Sequence, residues 1–274
     1  MKTLYVTDLD GTLLDKNSRV TETAKRALQA LYERGVMVSP ATSRSWSALW
    51  ALAGAKLGGP YVLLGGARIW DAQTQTMLRE HTYEAKDAQF ILKTVKDAGL
   101  TPFLYAQDEF DTQRIYYEPT ADVNAMRYIA AQRAAGDKRF TRVGSFAEKL
   151  DEKLFIITVQ GEQALLKQLL AMMLAHGLYA YLYYNSRSVC SLECAVVSKA
   201  EGVRELRAVT GAQHIVAFGD NGNDEGLFEA ADLRIAVENA TDGLKAQADR
   251  IIGPHDTDSV VKTICEMEGL TWNF

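Results

Sequence analysis

The sequence predicts an α/β fold, in which a mainly parallel sheet has helices on both faces and a separate α+β domain is inserted into it. Short apolar strands alternate with amphipathic helices in residues 1–82 and again in residues 188–274, which is the pattern of parallel strands joined by helical crossovers. In residues 83–187 longer strand-like runs follow a different order. We therefore predict one core domain, 1–82 with 188–274, and one inserted domain, 83–187.

The composition indicates a globular protein that acts on small molecules. The 274 residues are 47 % apolar, and the net charge of −5 comes from interspersed acids and bases, so we expect no nucleic-acid partner and no membrane partner. Three cysteines without metal-type spacing are expected to be reduced core residues. Too few apolar residues precede Asp8 for a signal peptide, and no run approaches the ~18 apolar residues of a membrane span. We therefore expect a cytoplasmic protein.

The first predicted strand, Leu4 to Val6, runs into Asp8-Leu9-Asp10-Gly11-Thr12. In extended geometry Asp8 and Asp10 point to the same side of the chain, and at ~5 Å in an effective dielectric of ~20 their repulsion is about 3 kcal/mol. A fold retains such a pair when a cation compensates it. Alternatively, Asp10-Gly11 is a simple turn and Asp8 a solvated strand end. The apolar residues on both sides favour the edge of a core instead.

The next elements place hydroxyl groups after a second strand. A helix is predicted over Thr21 to Glu33 and a strand over Val36 to Val38. Thr42 and Ser43 follow that strand and precede another helical pattern, where free N–H groups and the helix dipole favour a phosphate. A third strand is predicted over Tyr61 to Leu64. Because ligands bind at the carboxyl ends of parallel strands, we expect the site there.

The inserted domain is predicted from three helical stretches and three strand-like runs. The helices are expected over 87–98, 121–135 and 162–176, and the strands over 102–105, 154–160 and 179–184, the last followed by a further run over 189–197. The second half of the core then follows, with a helix over Ala200 to Val209, a strand over Ile215 to Phe218, a helix over Glu225 to Ala230 and strands over Arg234 to Val237 and Arg250 to Ile252.

A lysine stands at an electrostatically unfavourable place at the start of that second half. Ser198 and Glu201 have the spacing of a capping box, which puts Lys199 in the first helical turn, where the helix dipole opposes a cation. An anion in front of the helix would make Lys199 a binding residue. Alternatively, Lys199 is an ordinary surface residue. For the binding role we expect Lys199→Ala to impair catalysis with unchanged or slightly higher stability, because it removes a cation from the positive end of the helix dipole.

A second acidic cluster follows the strand that ends at Phe218. The segment from Gly219 to Asp224 contains Asp220 and Asp224. It fails as a calcium loop, because Glu225 stands where the sharp turn needs glycine. Together with the acids of the first strand, these carboxylates form a hard oxygen-ligand site suited to Mg²⁺.

In this order the motifs resemble those of the haloacid dehalogenase-like superfamily. The matching positions are Asp8 to Thr12, Thr42, Lys199 and Gly219 to Asp224. The resemblance covers essentially the whole chain, and it implies a Rossmann-like core. The insertion of about a hundred residues is similar to the large α+β cap of the Cof-type subfamily, whose members are mostly sugar-phosphate phosphatases. The sequence departs from the subfamily pattern at Pro40 and Ser43, and at Gly65, where the subfamily has asparagine.

The resemblance implies a role for each matched residue. Asp8 would be the nucleophile that forms an aspartyl phosphate, and Asp10 the general acid and base. The other implied site residues are Thr42, Ser43, Lys199 and Asn223 for phosphate, and Asp8, Asp10 (through its backbone carbonyl), Asp220 and Asp224 for Mg²⁺. The inserted domain would be a mobile cap that closes over the site. Substrate specificity is assigned to Arg44, Arg114, Tyr117 and Arg187.

Three other functions compete with a phosphatase that acts on a small phosphorylated metabolite. A phosphomutase on the same scaffold would return the phosphoryl group to a sugar instead of to water. A phospho-accepting regulatory domain of the receiver type would need only ~120 residues and another order of its acids, threonine and lysine. A dinucleotide-binding module is disfavoured because Gly-x-Gly-x-x-Gly is absent after the first strand.

Overall fold

The computed structural model describes residues 1–107, 112–184 and 190–274. The chain forms two compact units, Met1–Glu80 with Val197–Phe274, and His81–Val196. The strands are β1 (Thr3–Thr7), β2 (Met37–Pro40), β3 (Tyr61–Leu63), β4 (Arg68–Asp71), β5 (Thr76–Glu80), β6 (Pro102–Gln107), β7 (Gln113–Tyr117), β8 (Phe140–Arg142), β9 (Lys153–Gly161), β10 (Tyr179–Tyr184), β11 (Cys190–Ala195), β12 (His214–Gly219), β13 (Leu233–Val237) and β14 (Arg250–Ile252). The helices are α1 (Glu22–Glu33), α2 (Ala85–Asp97), α3 (Val123–Ala134), α4 (Gln163–Ala175), α5 (Lys199–Thr210), α6 (Glu225–Ala230), α7 (Asp242–Lys245) and α8 (Ser259–Met267).

The first unit is built on a five-stranded parallel sheet with the strand order β14-β13-β12-β1-β2. The central strands β1 and β12 are buried from their second residue onward, and the middle of each is apolar, as expected of parallel strands that are covered on both faces. The parallel α/β core that the sequence predicts is therefore confirmed. Helix α1 begins where predicted, because the Thr21 side chain accepts a hydrogen bond from Ala24 N–H at 3.0 Å.

The third predicted strand does not extend this sheet in the expected way. Strand β3 pairs antiparallel with β4, which pairs with β5, in a separate three-stranded sheet. On the β2 side, parallel bridges join Ala41 to Val62 and Val38 to Gly58. The β4–β5 hairpin was not predicted, because β5 is short and largely exposed and therefore lacks an apolar period.

The second unit contains a six-stranded sheet with the order β10-β11-β9-β6-β7-β8. Helices α2 and α4 contribute to one large apolar cluster, which includes Leu92, Leu166 and Leu192. Helix α3 packs into a second cluster with Phe103 and Phe140. Each predicted helix of the insertion is present to within two residues at either end, and the α+β assignment is confirmed.

The second boundary of the insertion lies further along the chain than predicted. Residues 188–196 were assigned to the core, but β11 pairs antiparallel with β9 and β10, and the division falls between Val196 and Val197. The alternation of Cys190, Leu192 and Cys194 identifies a strand with one buried face. It carries no information about which sheet that strand joins.

The structure also gives the state of the cysteines and the character of the helices. All three cysteines are buried and unpaired, as expected. Within residues 1–107, 112–184 and 190–274, no helix has the length and apolar character needed to cross a membrane.

Candidate active site

The acids of the two motifs leave neighbouring strands at the same edge of the core sheet. Thr7, the last residue of β1, lies opposite Phe218 in β12, and Asp8 N–H donates to the Phe218 carbonyl at 3.0 Å. Asp8 and Asp220 therefore follow adjacent parallel strands. The Thr12 hydroxyl donates to Asp220 Oδ1 at 3.2 Å, so the first motif also contacts the second directly.

Lys199 lies between two of these carboxylates. Its Nζ donates to Asp8 Oδ1 at 2.7 Å and to Asp224 Oδ1 at 2.8 Å, and the side chain is only 2 % exposed. The residue is the first of α5, whose N-cap Ser198 accepts from Glu201 N–H at 3.1 Å. The interpretation of Lys199 as an ordinary surface residue is therefore wrong. Two buried carboxylates compensate its charge, and the stability predicted for its alanine variant changes sign.

Asp224 organises the second acidic loop. Its Oδ2 accepts from the backbone N–H groups of Asp220 and Asn221 at 3.0 and 3.2 Å, while Oδ1 accepts from Lys199. The side chain is fully buried. A Cβ at Gly219 would lie 2.6 Å from Asp224 Cβ, so this close packing requires glycine. Asp224 thus holds the backbone that presents Asp220.

The carboxylates of Asp8, Asp220 and Asp224 form a cluster that could hold a metal ion. Each offers an oxygen within 4.8 Å of the others. Burial and the Asp224 carboxylate raise the pKa of Asp8 well above its usual range and raise the pKa of Asp220 to about 7. Lys199 is the cation that contacts two of the three acids. Their oxygen ligands and partial burial fit a hard divalent cation.

Asp10 is not part of that cluster. Its carboxylate is half-exposed and pairs with Arg44, whose Nε and Nη2 donate to Oδ2 and Oδ1 at 2.7 and 2.6 Å. Asp10 and Gly11 have non-helical backbone angles inside an irregular turn over Leu9–Leu13. Gly11 has φ +81°, and a Cβ there would lie 2.5 Å from Asp220 Oδ2. The turn therefore requires glycine for both its conformation and its space.

Sequence reasoning missed Asn239 as a residue that supports this turn. Its Nδ2 donates to the Gly11 carbonyl at 2.8 Å, and its Oδ1 accepts from His255 N–H at 3.0 Å. Nearby, Thr241 N–H donates to the Asp220 carbonyl at 2.9 Å. The one available signal was its position just beyond the carboxyl end of β13, where a parallel sheet presents site residues.

The Thr42 loop differs from the predicted phosphate cradle. Thr42 N–H donates to the Val62 carbonyl at 3.0 Å, and Arg44 N–H donates to Thr42 Oγ1 at 3.1 Å. The helical turn that follows, Trp46–Leu52, is a short 3₁₀ turn rather than an α-helix. The predicted helix start is therefore a 3₁₀ turn that begins three residues after Ser43. The Thr42 hydroxyl keeps its own proton for donation, and Ser43 is half-buried beside it.

A glycine turn joins this loop to the helix that carries Lys199. Leu64 N–H donates to the Arg44 carbonyl and Gly65 N–H to the Thr42 carbonyl. Gly65 has φ +67° and ψ +18°, a left-handed conformation that glycine and asparagine adopt readily. This explains how glycine can replace the asparagine of the subfamily pattern at this position. The next residue, Gly66, lies so close to α5 that a Cβ there would overlap the Ser198 carbonyl oxygen.

We expect Gly66→Ala to lower both stability and turnover. The substitution would add backbone strain of about 1–3 kcal/mol and an overlap with Ser198 that costs a further 1–3 kcal/mol or so. It would also displace the amino end of α5 and with it Lys199. Gly35→Ala is the matched control, since Gly35 has φ +77° and open space around its Cβ position. Denaturant unfolding and phosphate release measure both effects. Equal stability losses with full activity in both variants would contradict the prediction.

The residues predicted to determine specificity have different environments. Arg44 contacts Asp10 within the first unit. Tyr117 is buried in the second unit, and its hydroxyl accepts from Arg133 Nη2 at 3.0 Å, so Tyr117 packs the insertion and its predicted contact with substrate is not supported. Arg114 is half-buried in β7, and its role stays a prediction. Arg187 lies outside the described residues.

Comparisons with known proteins extend over nearly the whole chain. The family model described as haloacid dehalogenase-like hydrolase matches residues 5–264. The pyridoxal phosphate phosphatase YbhA of Escherichia coli is 27 % identical, with 94 % of this chain and 95 % of the relative covered. The 5-amino-6-(5-phospho-D-ribitylamino)uracil phosphatase YitU of Bacillus subtilis is 23 % identical, with 96 % of each covered.

Solved structures support the same fold. The phosphatase BT1666 from Bacteroides thetaiotaomicron superposes with a TM-score of 0.81 at 19 % identity, over 99 % of this chain and 96 % of that one. The sugar phosphatase BT4131 superposes with a TM-score of 0.73 at 20 % identity, over 99 % of this chain and all of that one. At these identities the superpositions establish the architecture alone.

Proposed function

The chain belongs to the haloacid dehalogenase-like hydrolase family, and we propose that this phosphatase is Mg²⁺-dependent, acts through a phosphorylated Asp8 and takes a sugar phosphate as substrate. The observation that carries the proposal is the buried pairing of Asp8 with Lys199 at the end of β1, beside Asp220 and Asp224. A carboxylate in that position is oriented and partly neutralised, as a nucleophile for phosphorus must be.

In the first step, an oxygen of Asp8 forms a bond to phosphorus while the bond between phosphorus and the leaving oxygen breaks. Asp10 donates a proton to that oxygen, so the product leaves as an alcohol. Lys199, Thr42, Ser43 and Asn223 hold the phosphoryl oxygens. The Lys199 ammonium contributes most to this role, because it is buried and already placed on the nucleophile.

In the second step, water attacks the phosphorus of the aspartyl phosphate and Asp10 takes its proton. The bond from phosphorus to Asp8 breaks, which releases phosphate and restores the carboxylate. When bound by Asp8, Asp220, Asp224 and the Asp10 backbone carbonyl, Mg²⁺ supplies positive charge that screens the attacking carboxylate from the phosphoryl oxygens. The raised pKa values of Asp8 and Asp220 support this assignment, because burial and the neighbouring Asp224 carboxylate disfavour their charged forms, and a bound cation would favour those forms.

The proposed substrate class is narrower than what the family implies. The names of the relatives refer to pyridoxal phosphate and to a ribitylamino uracil phosphate, and the name of BT4131 refers to sugar phosphates. These molecules share a phosphate monoester on a small polar carbon skeleton. We favour sugar phosphates because the inserted α+β domain is similar to the cap of sugar-phosphate phosphatases.

Metal removal together with a substrate panel tests the proposal. We expect phosphate release from 4-nitrophenyl phosphate and from at least one sugar phosphate with Mg²⁺, and less than about a tenth of that rate in excess chelator, because the site acids then repel the dianion. Re-addition of Mg²⁺ should restore the rate.

The controls separate the finer parts of the proposal. Undiminished turnover in chelator would contradict the metal requirement. Turnover of pyridoxal phosphate with no turnover of sugar phosphates would contradict the substrate class. Transfer of phosphate to a second sugar without release of phosphate would identify a phosphomutase.

A further inference from the structure

The pairing of Arg44 with Asp10 has the geometry of a fork rather than of a loose surface contact. Nε and Nη2 of one guanidinium reach the two different oxygens of one carboxylate, at 2.7 and 2.6 Å. Such a bidentate contact fixes both the position and the plane of the carboxylate. The Arg44 side chain is 19 % exposed and that of Asp10 is 51 % exposed, so the arginine is the more buried partner.

Arg44 is itself held by contacts on three sides. Its Nη1 donates to the Ala48 carbonyl at 3.1 Å, its backbone N–H donates to Thr42 Oγ1, and its carbonyl accepts from Leu64 N–H. The same residue therefore links the carboxylate of Asp10 to the backbone of the Thr42 loop. A shift of that loop would move Asp10 with it.

Asp10 has particular need of such support. Unlike Asp8, which is buried and held by Lys199, Asp10 projects from an irregular turn and is half-exposed. A solvated carboxylate populates several rotamers, whereas proton transfer requires a group within hydrogen-bond reach of the leaving oxygen. The fork uses two of the roughly four acceptor positions of a carboxylate. The other positions of Asp10, which face away from Arg44, remain for the proton that is transferred to the leaving oxygen.

We propose that Arg44 is a positioning residue for Asp10, acting on proton transfer to the leaving group rather than on substrate recognition. The inference rests on the proposed function, since it assumes that Asp10 is the general acid. It replaces the specificity role that the sequence suggested for Arg44. The proposal predicts that loss of Arg44 lowers kcat most for substrates whose leaving group must be protonated.

The test compares two phosphate monoesters that differ in this need. 4-Nitrophenol leaves readily as an anion, whereas glycerol leaves from glycerol 3-phosphate only when protonated. We expect Arg44→Ala to lower kcat for glycerol 3-phosphate by about 10- to 100-fold, since misplacement of a catalytic group by ~1 Å costs up to ~10²-fold, and to lower kcat for 4-nitrophenyl phosphate by less than about 5-fold. KM should change little for either substrate.

A double-mutant cycle distinguishes a positioning role of Arg44 from a merely structural one. In an Asp10→Asn background, Arg44→Ala should cause no further loss with glycerol 3-phosphate, because the group that it positions no longer transfers protons. Arg44→Lys should recover little of the lost activity, since a lysine keeps the charge but cannot make the fork. Because the pair is partly exposed, we expect the thermal midpoint to fall by no more than about 4 °C.

Arg234→Ala is the matched control. Arg234 makes the same fork with Asp249, at 3.0 and 2.6 Å, near the amino end of β13 and far along the strands from the site. The Arg234→Ala substitution should leave kcat unchanged for both substrates. Equal losses on both substrates, a loss mainly in KM, or additivity with Asp10→Asn would overturn the positioning role. An Arg44→Ala variant that fails to fold would be replaced by Arg44→Gln, for which the same leaving-group difference is expected. Wild-type protein without turnover on either substrate would instead overturn the proposed function.

Discussion

Asp8→Asn is expected to abolish turnover while leaving the fold intact. An amide is nearly isosteric with the carboxylate but is not a nucleophile for phosphorus, so we expect kcat to fall by a factor on the order of 10⁴ or more. The amide oxygen can still accept the hydrogen bond from Lys199 that Asp8 Oδ1 accepts now. Phosphate release at saturating substrate measures the effect.

The same substitution should not lower the stability of the metal-free protein. Burial and the Asp224 carboxylate hold the pKa of Asp8 above its unfolded value. When the pKa of a carboxyl group is higher in the folded than in the unfolded protein, the stability of the fold decreases as pH rises from the unfolded pKa to the folded pKa. The ionised form of Asp8 therefore disfavours the fold at neutral pH. A neutral amide removes that cost, and the thermal midpoint should be unchanged or higher.

Asp249→Asn is the control, because the pKa of Asp249 is lowered whereas that of Asp8 is raised. The Arg234 side chain lowers the pKa of Asp249 to about 2, so its ionised form favours the fold at neutral pH, and the amide should lower the thermal midpoint slightly. Turnover should remain at the wild-type level, because Asp249 lies near the amino end of the strands. Retention of more than a few per cent of activity by Asp8→Asn would require direct attack by water in place of the aspartyl phosphate.

Lys199→Ala is expected to be the most destabilising of these substitutions. It leaves Asp8 and Asp224 buried without the cation that now contacts both, and removal of one partner from a buried ion pair costs about 3–5 kcal/mol. Turnover should also fall by about 10²–10³-fold, the loss typical of removing a group that stabilises charge in the transition state. Denaturant unfolding in chelator measures the stability change.

Two comparisons isolate the buried charge as the cause. Lys86→Ala removes an exposed lysine from the equivalent first turn of α2, and it should change stability by only a few tenths of a kcal/mol. Mg²⁺ should recover part of the stability of Lys199→Ala, because a cation that binds the native carboxylates favours the folded state. A Lys199→Ala protein as stable as Lys86→Ala in chelator would restore the interpretation of a surface lysine.

The sequence by itself determined many of the helices and strands and the strand ends at which the acids stand. Helix α6 and strand β14 have the predicted bounds, because their apolar periods and turn residues act over a few neighbours in the chain. The same holds for the acids at the ends of β1 and β12. Asp8 and Asp220 could be assigned to one edge of the sheet, because parallel strands all end on the same side.

Only the tertiary structure decided which groups are partners. Lys199 and Asp8 are 191 positions apart in the chain, and no local pattern predicts that the lysine is buried against two acids. Likewise, Arg44 reaches Asp10 rather than solvent, and β11 joins the sheet of the insertion rather than that of the core. Periodicity shows which face of an element is buried, but the neighbour that covers this face depends on how distant segments pack together.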